Sequence, residues 1–257
     1  MRDLAKLADE LSPAMIEAGN AIMEIYRSDF EVITKDDGSP VTAADEAAEV
    51  ILLAALKEAA PEIAVVSEEN ASSHHLAVAD AYFLVDPIDG TKEFLKQDGK
   101  GAFTVNIGLI VEGAPVMGLI YAPVFETLYR GISGQGASRA VAGGAPEAIA
   151  TRAPSGKLTA VASASHRDEA TNDWLEARGI TDTKAIGSSL KFCLVAIGEA
   201  DLYPRFGPTM EWDTAAGDAI VRAAGGMTCF EDGTPYHYGK ESYRNVPFFV
   251  YGNEALI

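Results

Sequence analysis

Three things are scarce in this chain of 257 residues. Cysteine occurs twice, as Cys193 and Cys229. At most one disulfide could form, and a multi-cysteine zinc site is excluded; two reduced thiols are the simplest expectation. Positive charge is also scarce: 20 basic residues stand against 38 acidic ones, a net charge of −18. A surface of that sign cannot neutralise a run of phosphates, which excludes a general nucleic-acid binder, and it is repelled by anionic lipid. Long apolar runs are missing, none approaching the about 20 residues that cross a bilayer. Near the start, Arg2, Asp3 and Lys6 are followed by Asp9 and Glu10, not by the apolar stretch of a signal peptide. A cytoplasmic protein is the expectation.

What is there reads as globular: 48% of residues are apolar and 23% charged. The length suits one large domain or two small ones with a sizeable core. Ser12 and Pro13 read as N-cap and first turn of a helix carrying Ile16, Gly19, Met23 and Tyr26 on one face. Residues 35–40 read as a loop. Thr42 opens an alanine-rich helix that Pro61 ends, and strands are expected at 63–66 and 82–85. Phe103, Val105, Ile107 and Leu109 alternate as in a strand, turned at Glu112-Gly113 into a hairpin with 116–121, and 127–132 adds a third member. Residues 142–157 are small and turn-forming. Beyond them strands and helices alternate, at 158–164, from about 168, at 190–198, 201–203, 212–224, 227–230 and 248–251. An α+β half, residues 1–155, followed by an α/β half, residues 156–257, is the expected organisation.

The strongest chemical signal is Asp86-Pro87-Ile88-Asp89-Gly90-Thr91, at the end of an apolar strand. Pro87 and Gly90 are read as forcing a tight turn. Two aspartates across it, with the Ile88 carbonyl between them, can converge on a hard cation such as Mg²⁺, which takes oxygen ligands and shares them with substrate phosphate. A plain turn with aspartate capping its own backbone explains the hexapeptide equally well. Glu68 and Glu69 also follow a strand. Asp213, in Trp212 to Gly217, is explained by the dipole of the helix it begins. Asp45 is explained by a capping box with Thr42. His74 and His75 fall in a polar stretch that reads as loop.

Taken in order, the Asp45 segment, Ser67-Glu68-Glu69, Asp86 to Thr91 and Trp212 to Gly217 resemble the lithium-sensitive, Mg²⁺-dependent phosphatases of the inositol monophosphatase superfamily. The resemblance spans most of the chain. It implies an α/β fold, a layered αβαβα sandwich. It implies that Glu68, Asp86 and the Ile88 carbonyl hold a first metal, and that Asp86, Asp89 and Asp213 hold a second. Asp45 would sit by a third, weaker site and pair with Thr91, for two or three Mg²⁺ ions in all. Glu68 rather than Glu69 matches the ligand.

Narrower features point to one branch. The simple inositol phosphatases have Asn-Phe one residue after the Asp-Gly-Thr; here the run is Thr91-Lys92-Glu93-Phe94. With Ser163 to Asp168, Gly187 to Cys193 and Leu202 to Gly217, this resembles the bacterial 3′(2′),5′-bisphosphate nucleotidases. That resemblance implies hydrolysis of the 3′-phosphate of adenosine 3′,5′-bisphosphate, and action on its sulfated precursor, by a metal-activated water. Asp45, Glu68 and Thr91 would be catalytic. Glu68, Ile88, Asp89, Gly90, Thr91, Asp213, Ser163, His166, Ser188 and Lys191 would contact substrate, the last four on the nucleotide side. The residues alone say less: His166 reads as a surface histidine, Lys191 as a solvated helix residue, Ser188 and Ser189 as an N-cap. Arg205 is a further candidate, set aside. The resemblance also implies a monomer or homodimer, and a peripheral place on the cytoplasmic face of the inner membrane. The charge of −18 and the lack of a basic amphipathic helix give the latter no physical support. The rival readings are an inositol-type phosphatase of the same fold and a catalytically silent metal-binding module.

Overall fold

A computed structural model describes residues 3–34, 40–76, 78–163 and 167–257. In chain order the elements are α1 (Leu4–Tyr26), β1 (Val32–Thr34), β2 (Pro40–Thr42), α2 (Ala43–Ala59), β3 (Ala64–Ser67), β4 (Ala81–Asp89), α3 (Thr91–Leu95), β5 (Thr104–Val111), β6 (Ala114–Ala122), β7 (Thr127–Ile132), β8 (Gly136–Val141), β9 (Glu147–Ile149), β10 (Thr159–Ser163), α4 (Glu169–Ala177), β11 (Asp182–Ile186), α5 (Leu190–Ala196), β12 (Leu202–Arg205), α6 (Ala215–Ala223), β13 (Met227–Cys229) and β14 (Phe248–Tyr251).

Helix α1 departs from the expectation. It begins at Asp3, whose carboxylate accepts from the amides of Ala5 and Lys6 at 3.0 and 3.2 Å, and it runs straight through Pro13. Leu7, Leu11, Met15, Ala18 and Ile22 line one buried face. Burying large apolar side chains contributes about 1.5–3 kcal/mol each, which outweighs the roughly 3 kcal/mol cost of an interior proline. Ser12 is no cap; its hydroxyl donates back to the Ala8 carbonyl at 2.6 Å. Helix α2 starts as expected, with Thr42 as N-cap and Asp45 accepting from its amide and hydroxyl at 2.8 and 2.9 Å.

Strands β3 to β9 form one seven-stranded sheet in sequence order, and β11-β10-β12-β14-β13 form a five-stranded one. β1 and β2 pair as a separate antiparallel ribbon. Residues 142–157 are not wholly irregular: β9 lies inside them as an edge strand on β8. Helices α1 and α2 cover one face of the first sheet, burying Leu52, Leu56, Phe83, Val85, Phe94 and Phe103 among others. Helices α5 and α6 fill the space between the sheets, around Phe192, Trp212, Ile220 and Phe248. Helix α4 covers the far face of the second sheet through Trp174 and Leu175. The order of layers is therefore αβαβα.

The seat of α6 is bare backbone. Gly108, Gly118 and Gly131 are cross-strand neighbours on β5, β6 and β7. A Cβ at these positions would lie 2.6 Å from the Ala215 Cβ, 2.2 Å from the Ala216 carbonyl oxygen and 2.4 Å from the Ile220 Cα. Helix and sheet touch main chain to main chain along this lane.

The Asp86 to Asp89 stretch is not the free turn expected from its proline and glycine. It continues β4, pairing Asp86 with Asn106 and Asp89 with Thr104, so three steps on β4 match two on β5. The extra residue makes a bulge over Pro87-Ile88, where Pro87 has no amide proton to give the ladder. Gly90 then takes φ +95°, and α3 begins at Thr91.

Candidate active site

Strand polarity gathers the acids. β3 and β4 are parallel, with Ser67 beside Val85, so Glu68 and Asp86 leave neighbouring strands at the same end. A 3₁₀ turn at Glu211–Asp213 crosses these ends and leads into α6, with the Met210 amide donating to Asp213 at 2.7 Å. Glu68, Asp86 and Asp213 thereby bring one carboxylate oxygen each within 4.8 Å of one another. Asp86 is buried, and neither of its carboxylate oxygens has a hydrogen-bond partner.

That arrangement is costly for protein alone. Burial, then the charges of Glu68, Asp89 and Asp213, holds the Asp86 carboxyl well above its ordinary range. Asp213 is pushed up to about 7 by burial and by Asp89. Asp89 is pushed up to about 6 by burial, against the Lys191 ammonium and a hydrogen bond from the Ser189 amide. An orphaned buried carboxylate ringed by like charges calls for a cation. The donors are all oxygen, the set that hard divalent ions such as Mg²⁺ prefer. The residues present therefore fit a metal ion.

These acids form one wall of a cavity of about 590 Å³, which Ile88, Gly90 and Thr91 also line. The Thr91 hydroxyl donates to the Ile88 carbonyl at 3.3 Å. Asp45 is buried at the head of α2, and among the described residues lining the cavity it is not one.

The opposite wall comes from the second sheet, where β10, β11 and β12 are parallel and end on the cavity. Ser163 closes β10, Gly187 and Ser188 follow β11, and Arg205 closes β12. Crevices outside the carboxyl ends of parallel strands are the usual ligand sites of α/β sheets. Ser188 has φ +52°, a left-handed conformation that a side chain rarely takes. The surroundings fix it. Its hydroxyl accepts from the Leu190 amide at 3.3 Å, and its carbonyl accepts from Lys191 Nζ at 2.5 Å. Ser189 holds the N-cap position of α5 but makes no side-chain capping bond; of the two serines only Ser188, one residue earlier, offers its hydroxyl to the helix. The Ser189 hydroxyl instead donates to Asn106 Oδ1 at 2.6 Å and meets the Thr104 hydroxyl at 2.8 Å, tying α5 to β5 behind Asp89.

Lys191 is not the solvated residue expected: it is buried beside the Tyr203 ring, and burial pushes its ammonium down to about 8. Arg205, set aside on sequence, is buried in the same wall, with its guanidinium donating to the Gly207 and Pro208 carbonyls. The signal in the sequence was an arginine at the end of an apolar strand, followed by Phe206-Gly207-Pro208. Glu93 also lines the cavity and lies against Gly187, where a Cβ would come within 2.6 Å of its side chain. His166 lies outside the described residues. His74 is not in a loop: residues Ala71–His75 form a 3₁₀ turn, and its ring stacks on Trp212.

Comparison with known proteins gives the family. The sequence profile of the inositol monophosphatase family matches residues 3–247, and the chain belongs to that family. Within it, the chain is 43% identical over 248 residues to the 3′(2′),5′-bisphosphate nucleotidase CysQ of Shigella flexneri, covering 95% of this chain and 99% of that protein. It is 45% identical over 237 residues to the enzyme of the same name from Salmonella typhimurium, covering 91% and 94%. Its fold is similar to the crystal structure of CysQ from Bacteroides thetaiotaomicron, with a TM-score of 0.81 at 36% identity over 95% of this chain and 96% of that one. Among the described residues, no helix is long and apolar enough to cross a membrane.

Proposed function

We propose that this chain is a Mg²⁺-dependent 3′(2′),5′-bisphosphate nucleotidase that releases the 3′-phosphate of adenosine 3′,5′-bisphosphate. The observation that carries the reading is one cavity with two opposed walls: an acidic one built on Glu68, Asp86 and Asp213, and a cationic one built on Lys191 and Arg205. A substrate with one phosphate to cleave and a second to anchor matches such a cavity, and about 590 Å³ is in the range of small-molecule sites. The similarity to the nucleotidases named above supports the same substrate.

Glu68, Asp86, the Ile88 carbonyl, Asp89 and Asp213 would hold the ions, two or three in number. Bound there, Mg²⁺ would supply charge neutralisation on the reacting phosphate and a nucleophilic water at neutral pH. Thr91, its hydroxyl held toward the Ile88 carbonyl, would orient that water, accept its proton and pass its own toward Asp45 behind it, a role that Glu68 would share. Lys191 neutralises the non-reacting phosphate, with Ser188 and Ser163 fixing the nucleoside beside it, a role the family resemblance also gives His166. Arg205 joins Lys191 at the phosphate. Preorganised charges of this kind lower the barrier without reorganising during the reaction. Among the described residues no nucleophilic cysteine lines the cavity: Cys193 is buried and its thiol pushed up by burial.

Phosphate release in Mg²⁺ from adenosine 3′,5′-bisphosphate and from inositol 1-phosphate, measured side by side, tests the reading. A preference of at least about a hundredfold for the nucleotide, about 2.7 kcal/mol of transition-state discrimination, is expected. Preference for the inositol ester would keep the metal site and remove the nucleotide wall from the account. Release from neither would overturn the enzymatic reading.

A further inference from the structure

Two of the three clustered acids come from opposite ends of the chain. Glu68 follows β3, whereas Asp213 sits in the turn before α6. Holding their oxygens within 4.8 Å of each other demands that the two segments be fixed relative to one another. Neither acid's own backbone does this: the Glu68 amide bonds back to Val85, and the Asp213 amide to Met210.

We propose that His74 is the positioning residue that joins these two segments, and so sets the Glu68–Asp213 spacing on which metal affinity depends. The proposal rests on the metal-binding reading above. His74 Nε2 donates to the carbonyl of Ser67, the residue before Glu68, at 2.8 Å. Its ring stacks on Trp212, the residue before Asp213, with centroids 4.7 Å apart and planes 22° from parallel. One side chain therefore grips the immediate neighbour of each acid.

The rest of the 3₁₀ turn holds His74 in place. The Ser73 hydroxyl accepts from the Ser67 amide at 3.0 Å and donates to the Asn70 carbonyl at 2.6 Å. The Tyr243 hydroxyl donates to the Leu76 carbonyl at 3.3 Å, and the Tyr243 ring meets Trp212 from its other neighbours, centroids 6.3 Å apart. The Ser67 hydroxyl is engaged separately, by Glu49 of α2. Ser67 thus has its amide, carbonyl and hydroxyl all captured by side chains, and of those three side chains only His74 is shown reaching onward to the Asp213 turn. Partners that orient metal ligands from behind are commonly worth ten- to a hundredfold in metal affinity.

The test separates the two grips. His74→Gln keeps a donor and loses the stack; His74→Phe keeps the stack and loses the donor; His74→Ala loses both. Mg²⁺ affinity of each full-length protein is measured by calorimetric titration, beside the melting temperature in EDTA and the KM and kcat at saturating Mg²⁺. The expected result is Mg²⁺ binding weakened about tenfold or more in His74→Ala, less in each of the other two, with KM for the nucleotide at saturating Mg²⁺ within about twofold of wild type. Should His74→Ala fail to fold, the Gln and Phe variants decide. Wild-type Mg²⁺ affinity in the folded variants, whatever happens to their melting temperature, would reduce His74 to packing and overturn the proposal. Failure of the wild-type protein to bind Mg²⁺ would instead overturn the metal reading on which it rests.

Discussion

Asp86 and Asp218 are both fully buried carboxylates, yet they live in opposite circumstances. Asp218, in α6, accepts two hydrogen bonds from Arg222 at 2.7 and 2.9 Å and a third from the Tyr238 hydroxyl at 3.1 Å. Burial pushes its carboxyl up, but Arg222 pulls against the shift. Asp86 has no donor on either oxygen, and the charges around it share its sign. Nearby Glu211 repeats the Asp218 pattern, held by Lys240 Nζ at 2.7 Å and by the amides of Gly239 and Lys240 at 2.9 Å. The fold can satisfy a buried acid with its own residues and does so one turn away from the cavity. Leaving Asp86 unsatisfied therefore marks it as a group completed from outside.

Breaking each acid should give opposite results. Asp86→Asn is expected to lower kcat/KM for the nucleotide by about a thousandfold or more, through loss of charge at the reacting phosphate. Its melting temperature in EDTA should not fall below that of wild type, because the substitution removes an uncompensated buried charge. A large drop in EDTA would mean that Asp86 is structural after all. Asp218→Asn should do the reverse. Breaking one side of a buried pair costs about 3–5 kcal/mol, to be read from urea unfolding, while kcat of the folded protein stays within about threefold. Activity lost in step with Asp86→Asn would erase the distinction.

A smaller effect sharpens the comparison through pH. The carboxyls of Asp89 and Asp213 are raised from 3.8 to about 6 and about 7 in the folded chain. The folded state then binds more protons than the unfolded one in that interval, so the stabilisation is fully present below about pH 4 and is lost as pH rises through 6 and 7. Unfolding free energy in EDTA should fall between pH 4 and 7, and Mg²⁺ should flatten or reverse the slope by binding the ionised form. Identical pH profiles with and without Mg²⁺ would separate these two acids from the metal.

What the sequence made legible follows the range of the forces involved. The αβαβα layering and the grouping of the acids at 68, 86, 89 and 213 came from the family resemblance, whose motifs are local; the residues alone gave an α+β half, an α/β half and acids at strand ends. The capping box at Thr42 and Asp45 was readable because it too is local. Pro13 misled because its fit to a first helical turn was weighed without Leu7 and Leu11, whose burial carries α1 on the other side of it. The bulge at Pro87 looked like a turn because its partner strand, β5, lies many residues away. β11 and β9 are short and mostly exposed, with no alternation to announce them. Lys191 looked solvated and Arg205 was set aside because burial of a cation depends on what packs over it, here Tyr203 and the 207–209 segment. His74 gave no signal at all. Its two partners become neighbours only when the first and second halves of the chain close on each other.

The glycine lane under α6 carries a consequence for how this site can vary. A helix resting on side chains can be raised or lowered by exchanging one residue for a larger or smaller one. A helix resting on the main chain at Gly108, Gly118 and Gly131 has no such adjustment. Its height above the sheet is a fixed dimension, and the turn that presents Asp213 inherits it. Drift in this enzyme is therefore free to reshape the cationic wall, where loops and long side chains can trade places. The acidic wall is machined to a single gauge.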